Sequence, residues 1–180
     1  MLKCLKFINF VLLLAALFAS IVGLVTNYMI EHSTTQHQGL WFYCNDEEVG
    51  CLHFDQDPTI IINGGVPDWH YAVFGLYVCG VGFQFFAFMI FWFIFCKQKN
   101  TKCYRWHNVF SLVGWIALVC GMSLYTYMFL QRMEINGYKW GYSFGFGWLS
   151  ALLHFLSLIL SFMLIMMDHR RNDPYSQSFN

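Results

Sequence analysis

Four long apolar runs, separated by polar segments, constrain the fold of this 180-residue chain more than any other feature. Each run is long enough, at about 1.5 Å per residue, to cross a hydrocarbon core of about 30 Å as a helix. With 58% apolar, 21% aromatic and only 11% charged residues, the chain has too much apolar surface for a soluble body. The sequence predicts a single, mainly α-helical membrane domain with four spanning helices, at residues 5–30, 71–96, 108–130 and 143–167.

The first apolar run has a second interpretation, as a secretory signal peptide. Lys3 and Lys6 precede the run, and small residues at 16–20 offer a cleavage site. Because apolar residues continue well beyond that site, we favour a retained span.

The distribution of charge predicts the orientation of the spans. Ten basic and ten acidic residues cancel, so no excess charge would attract nucleic acid. Cytoplasmic loops of membrane proteins are enriched in Lys and Arg. Eight of the ten basic residues flank the spans on one side: Lys3, Lys6, Lys97, Lys99, Lys102, Arg105, Arg170 and Arg171. We therefore expect the termini, the loop 97–107 and the tail 168–180 in the cytoplasm, and the loops 31–70 and 131–142 outside.

The first outer loop has the pattern of a small antiparallel sheet. Its β-forming residues come in three short groups, at 40–44, 51–54 and 59–62, and turn-forming residues follow at 63–67. The loop contains seven acidic residues and no Lys or Arg. We predict an extracellular antiparallel sheet that carries negative charge.

The seven cysteines fall into three groups according to their predicted position relative to the membrane. Cys44 and Cys51 are the two on the oxidising side, and their spacing suits a hairpin tied by a disulfide, which we predict. Cys79 and Cys120 fall within the membrane, where we expect small packing residues. Three others lie at the cytoplasmic boundary, where S-palmitoylation and an unmodified thiol are both open interpretations: Cys4, Cys96 and Cys103.

The lack of charged residues inside the spans argues against transport and catalysis. The membrane-embedded parts of the runs contain no Asp, Glu, Lys or Arg, which proton relays and ion-coupled transporters need at depth. Gln84 is the one strongly polar residue of the second run, and His154 of the fourth is expected to make an interhelical hydrogen bond. The outer loop contains four histidines: His32, His37, His53 and His70. Their spacings match no compact metal-ligand motif, so we predict no metal site. We also predict no cofactor and no enzymatic activity.

One motif resembles a known family. Gly39-Leu40-Trp41, followed by Cys44 and Cys51, is similar to the first outer loop of the superfamily that joins claudins to the peripheral myelin, epithelial membrane and lens fibre membrane intrinsic proteins. The segments 25–28, 68–69 and 142–148 support the resemblance, which covers essentially the whole chain. It implies a left-handed four-helix bundle capped by a β-sheet, with Trp41 wedged where the sheet meets the helix ends.

The chain also departs from that family in several places. Tyr28 takes the position after the first span where the family usually has a tryptophan, and the interval between the two cysteines is short. No arginine opens the second span as in claudins. The final Asn180 argues against binding to a PDZ scaffold, and the sequence contains no Asn-x-Ser/Thr glycosylation site.

Two functions follow from the resemblance. The first is a structural or adhesive protein of the plasma membrane that organises cell contacts by self-association, in cis or in trans, through outer aromatic residues: Phe42, Tyr43, Phe54, Tyr138, Trp140 and Tyr142. If such a protein formed a paracellular barrier, its acidic loop would favour cations. The second is an auxiliary subunit of a channel or receptor, bound through small-residue helix faces: Gly75, Gly80, Gly114 and Gly121.

Overall fold

Four long helices form the body of the protein. The computed structural model describes residues 2–31, 36–45, 50–53, 68–97, 101–136 and 139–172. The helices are α1 (Leu2–Val25), α2 (Asp68–Lys97), α3 (Thr101–Asn136) and α4 (Tyr142–Asn172). Each contains a segment long and apolar enough to span a membrane: Lys3–Val25, Asp68–Cys96, Cys103–Leu130 and Tyr142–Met167. The prediction of a mainly α-helical membrane protein with four spans is confirmed.

The four helices pack into an antiparallel bundle. The most extensive contacts join α2 to α3 and α1 to α4, and smaller ones join α4 to α3 and α1 to α2. Near the start of α1, Asn9 contacts Ser161 near the end of α4, whereas Thr26, just beyond α1, contacts Ser143 at the start of α4. α1 and α4 therefore run in opposite directions.

Each helix buries one stripe of residues whose spacing alternates between three and four. The stripes are Asn9, Leu13, Ala16, Ser20 and Gly23 in α1; Val73, Tyr77, Gly80, Gln84, Ala87, Phe91 and Ile94 in α2; Tyr104, His107, Ser111, Gly114, Leu118, Gly121 and Tyr125 in α3; and Ser143, Gly147, Ser150, His154, Ser157, Ser161 and Leu164 in α4. A seven-residue repeat is slightly shorter than two turns of an ideal helix, so helices that keep it facing inward wind around one another with a left-handed twist.

An antiparallel sheet of five short strands covers one end of the bundle. The strands are β1 (Ile30–Glu31), β2 (Gln36–Gln38), β3 (Phe42–Asn45), β4 (Gly50–His53) and β5 (Lys139–Trp140). They lie in the order β4-β3-β2-β1-β5, so β1 pairs with both β2 and β5. We call these strands, together with residues 26–29 and 39–41, the cap. The last strand joins the segment between α3 and α4 to the segment that follows α1.

The cap shares an apolar core with the adjacent ends of the helices. Met29, Ile30 and Leu40 of the cap are buried in one cluster with Val73 and Tyr77 of α2. At Gly141 the backbone amide donates a 3.0 Å hydrogen bond to the carbonyl of Met29. A side chain at position 141 would collide with the carbonyl of Tyr28. The chain can therefore pass this close to the end of α1 only with glycine at that position.

Several predicted boundaries differ from those of the structure. The first helix ends at Val25 rather than at residue 30, because Ile30 leaves the helix and pairs with Gln38 and Trp140 in the sheet. The third begins at Thr101 and ends at Asn136, so it includes residues 101–107, which we predicted as loop. Apolar content did not separate residues that face lipid from residues covered by the cap.

The predicted strands were partly correct. The groups at 40–44 and 51–54 correspond to β3 and β4, each shifted along the chain, and β1, β2 and β5 were not predicted. The group at 59–62 lies outside the described residues. Strands of two or three residues are specified by their pairing partners rather than by local sequence.

Candidate functional site

The cap is closed by a disulfide. Cys44 of β3 and Cys51 of β4 occupy directly opposite positions and their sulfurs are bonded, which confirms the predicted pairing. The side-chain amide nitrogen of Asn27, just beyond α1, donates hydrogen bonds to both sulfurs, at 3.6 Å to Cys44 and 3.9 Å to Cys51. Cys44 is buried and Cys51 is exposed. The hairpin is thus held against the end of the first span.

His37 lies beside this disulfide without forming a metal site with it. One ring nitrogen of His37 and the two sulfurs all lie within 4.8 Å of one another. Zinc is bound by thiolates, which two sulfurs joined in a disulfide cannot supply. The imidazole instead stacks on the ring of Tyr28, with 4.0 Å between the ring centroids.

Tyr28 is at the centre of a stack of three rings. Its second face contacts Tyr142, the first residue of α4, with the ring centroids 4.9 Å apart. The backbone carbonyl of Tyr28 accepts a 3.1 Å hydrogen bond from the amide of Ser143. Strand β2, the end of α1 and the start of α4 therefore meet at this one residue.

The motif at 39–41 fits between the cap and α2. Trp41 is half-buried and packs edge-to-face against Phe74, with 4.5 Å between the ring centroids. His70 Nε2 lies 3.1 Å from the carbonyl oxygen of Leu40. A methyl group at Gly39 would lie 2.7 Å from Cα of Asn27, so only glycine fits there. These contacts agree with the wedge position that the resemblance implies for Trp41.

The aromatic residues expected to form an outer contact surface do not all face outward. Trp140 is half-buried, and its ring stacks on Phe144 of α4 at 3.9 Å, so it belongs to the core of the cap. Phe42 is also half-buried. The ring of Tyr142 is 50% exposed. Phe54 and Tyr138 lie outside the described residues, and for Tyr43 only the backbone, in β3, is described.

A chain of hydrogen bonds crosses the bundle core near its far end. Asn9 of α1 donates from Nδ2 to Ser161 Oγ at 2.9 Å and accepts at Oδ1 from Ser157 Oγ at 2.7 Å. Ser161 Oγ lies 2.8 Å from Nε2 of His107, whose Nδ1 lies 2.9 Å from the carbonyl of Ala87. Because a carbonyl only accepts, Nδ1 of the neutral ring carries the proton and Ser161 donates to Nε2. All four helices contribute to this network.

Two further polar contacts lie in the same core. His154 Nε2 of α4 is 2.9 Å from Ser111 Oγ of α3, which confirms the expected interhelical hydrogen bond. Ser20 Oγ of α1 lies 2.9 Å from Gln84 Oε1 of α2. His107 was missed, because we placed it in a loop. The repeated spacing of polar and small residues in α1 and α4 is the sequence signal that could have revealed the network.

The glycines of α2 and α3 divide between the inside and the outside of the bundle. At Gly114 a methyl group would lie 3.1 Å from the backbone nitrogen of Gln84, so the two helices are in close backbone contact. Gly80 and Gly121 face the same interface. A methyl group at Gly75 or Gly82 would contact nothing within 4 Å. The small-residue faces predicted for partner binding thus belong largely to internal packing.

The free cysteines also differ from part of the prediction. Cys79 and Cys120 are exposed on the outside of the bundle, so their interpretation as small packing residues is wrong. Cys4 and Cys96 are exposed and Cys103 is half-exposed. Acylation of these three remains a prediction.

The family follows from a comparison with known proteins. The PMP-22/EMP/MP20/Claudin family model matches residues 1–161, which include α1 to α3, all five strands and most of α4. The chain belongs to this family. Its resemblance to the superfamily is confirmed, and so is its character as a four-span membrane protein that contacts the lipid bilayer. Residues 162–172 of α4 and the tail lie beyond the match.

Proposed function

We propose that this member of the PMP-22/EMP/MP20/Claudin family is a structural, adhesive protein of the plasma membrane that self-associates at cell contacts through its cap. The observation that carries the proposal is the fixed position of the cap on the bundle. The disulfide, the Tyr28 stack and the Trp41 contact with Phe74 tie it to α1, α4 and α2. A preorganised surface loses little conformational entropy on association, which favours binding.

The rim of the cap offers groups suited to a protein contact. Tyr71 and Tyr142 are each about half exposed, at the cap ends of α2 and α4. Tyrosine provides a large apolar area with a polar tip and is enriched in protein interfaces. Lys139 is exposed nearby and Cys51 is exposed on β4. Association through such a surface involves no chemical turnover, so we propose no enzymatic activity.

We also propose the orientation that the charges predict. Both termini and the segment between α2 and α3 would lie in the cytoplasm, and the cap outside. Support comes from the sequence, in which eight basic residues flank the spans on one side and seven acidic residues lie at positions 31–68. In a polymeric barrier, this acidic segment would favour the passage of cations over anions.

The test is contact enrichment in cells that lack junctions. Two populations expressing the protein with different fluorescent tags are mixed, and the signal at contacts between them is compared with the signal at free membrane. We expect several-fold enrichment, and its loss in Tyr142→Ala at equal surface delivery. Leu149→Ala, at an exposed position farther along the same helix, is the matched control. Absence of enrichment for the unmodified protein would contradict an adhesive role in trans.

A second candidate function is that of an auxiliary subunit of a channel or receptor. The observation in its favour is that Gly75 and Gly82, seven residues apart on α2, meet nothing within 4 Å. A partner helix could approach this face closely. Gly75→Leu and Gly82→Leu would then reduce co-purification with a larger membrane complex, whereas Gly145→Leu, at another open position, would not. Co-purification without contact enrichment would favour this function over the first.

A further inference from the structure

The end of the bundle opposite the cap concentrates positive charge. We call this the basic end; there α1 and α3 begin and α2 and α4 end. Among the described residues, the helices there carry seven of the ten basic residues of the chain and one acidic residue, Asp168. Lys97 ends α2, and Arg170 and Arg171 lie in the last turn of α4. The helix topology therefore brings basic residues from all four helices to the same level.

Lys6 occupies a special position within the basic end. It lies three residues before Asn9 and so continues the buried stripe of α1 toward the end of the bundle. Its ammonium nitrogen is 5.7 Å from the centre of the Tyr104 ring, the first member of the buried stripe of α3. Tyr104 in turn belongs to an apolar cluster with Phe91 and Leu164. The ammonium group thus lies over a ring that belongs to this apolar cluster.

Two more basic residues lie near these positions along the same two helices. Lys3 lies one turn from Lys6 on α1, and Arg105 follows Tyr104 on α3; both are exposed. Beside them, Trp106 is 61% exposed and Phe7 is 56% exposed on the outer surface of the bundle. Exposed tryptophan at the end of a span lies at the level of the lipid headgroups. The anions available at that level are therefore lipid phosphates.

We infer that the basic end binds the headgroup of an anionic phospholipid, with Lys6 at the centre of the site and Lys3 and Arg105 beside it. Lysine is a common point-charge ligand of phosphate, and clustered basic residues at the membrane surface bind polyanionic headgroups. The charge excess of the basic end is complementary to a headgroup with several phosphate groups. This inference does not depend on adhesion at the cap.

Native mass spectrometry of the full-length protein tests the inference. The protein is solubilised in micelles that contain phosphatidylcholine and phosphatidylinositol 4,5-bisphosphate, and the retained lipid is measured. We expect the bisphosphate to be retained by at least about a hundredfold over phosphatidylcholine. The variant Lys3→Gln/Lys6→Gln/Arg105→Gln should lower that retention roughly a hundredfold, since each basic residue contributes about fivefold. Lys139→Gln, at the exposed basic residue of the cap, should change it less than twofold.

Two additional variants separate the site from a folding defect and from general charge attraction. Lys3→Gln/Arg105→Gln changes only exposed side chains and should lower retention about twentyfold while gel filtration and circular dichroism stay unchanged. Lys6→Arg should retain the lipid. Equal retention by the triple variant and the unmodified protein, or equal loss in Lys139→Gln, would overturn the inference. Displacement of the lipid by an equal concentration of soluble inositol trisphosphate would overturn a lipid as the ligand.

Discussion

Ser157 Oγ of α4 donates a 2.7 Å hydrogen bond to Oδ1 of Asn9 in α1. Both residues are completely buried, in the stripes along which these helices meet. Hydrogen bonds between membrane helices stabilise their association modestly, by about 0.6 to 2 kcal/mol each. Their larger effect is on register, because a shift of one helix past the other leaves buried polar groups without partners. The hydrogen bonds of Asn9 with Ser157 and Ser161 therefore help to define how α1 and α4 align.

Replacement of Asn9 by leucine should destabilise the bundle. The variant removes two hydrogen bonds, so that the buried hydroxyl of Ser157 loses its acceptor and the oxygen of Ser161 loses its donor, whereas the contact of Ser161 with His107 remains. We therefore expect the free energy of unfolding to fall by about 1–3 kcal/mol. Unfolding by sodium dodecyl sulfate in bicelles, followed by circular dichroism, measures the change. Leu14→Ala, at an exposed position of the same helix, is the control and should have less than half the effect. Stability equal to that of the unmodified protein would show that the network contributes nothing.

Replacement of Gly114 by leucine should separate α2 from α3. The new side chain would collide with the backbone of Gln84 and the carbonyl of Gly80, which cannot move without displacing α2. Overpacking of this kind costs about 1–3 kcal/mol or more. The matched control is Gly82→Leu, because that position is open. The same unfolding assay measures both variants. Leucine is a better helix former than glycine, so Gly82→Leu should not lower stability, and equal losses would mean that close packing at Gly114 does not explain the effect.

The number and positions of the helices could be predicted because a membrane requires about 20 apolar residues for each span. The ends of the helices could not, since the same apolar side chains suit lipid and the core under the cap. Met29 and Ile30 illustrate this, because they continue the first apolar run yet belong to the cap. Ile30 is placed in β1 by its pairing with Gln38 and with Trp140, and Trp140 is more than a hundred residues away.

The candidate site was predictable only in part. The disulfide followed from the distribution of cysteines relative to the spans. The contact of Trp41 with Phe74 required the structure, because no spacing rule links a loop residue to a position in α2. His107 was assigned to a loop because we placed the start of the apolar run at Asn108, although the histidine is buried against Ala87 and Ser161. A seven-residue pattern, rather than mean hydropathy, would have placed it in the core.

Acylation of the cysteines near the basic end is a third prediction. Cys4 and Cys96 are exposed near the predicted cytoplasmic boundary, and Cys103 is half-exposed there, so an acyltransferase could reach them. Acyl exchange with hydroxylamine should label the unmodified protein and lose most of the label in Cys4→Ser/Cys96→Ser/Cys103→Ser. The control is Cys79→Ser, at an exposed cysteine deep in the span, which should keep the label. Equal labelling of the triple variant would place the modification elsewhere.

Loss of either anchor of the cap should prevent delivery to the cell surface. Cys44→Ser opens the disulfide, and Trp41→Ala removes the contact with Phe74; each should cost about 2 kcal/mol and misfold the sheet. We expect both variants to remain in the endoplasmic reticulum, measured by surface biotinylation against total protein. Trp41→Phe keeps an aromatic edge near Phe74 and should be delivered better than Trp41→Ala. Cys79→Ser removes an exposed thiol that has no disulfide partner and should be delivered normally. Normal delivery of both anchor variants would mean that the bundle folds and exits without the cap, and the cap could then not be the preorganised surface on which the adhesive function depends.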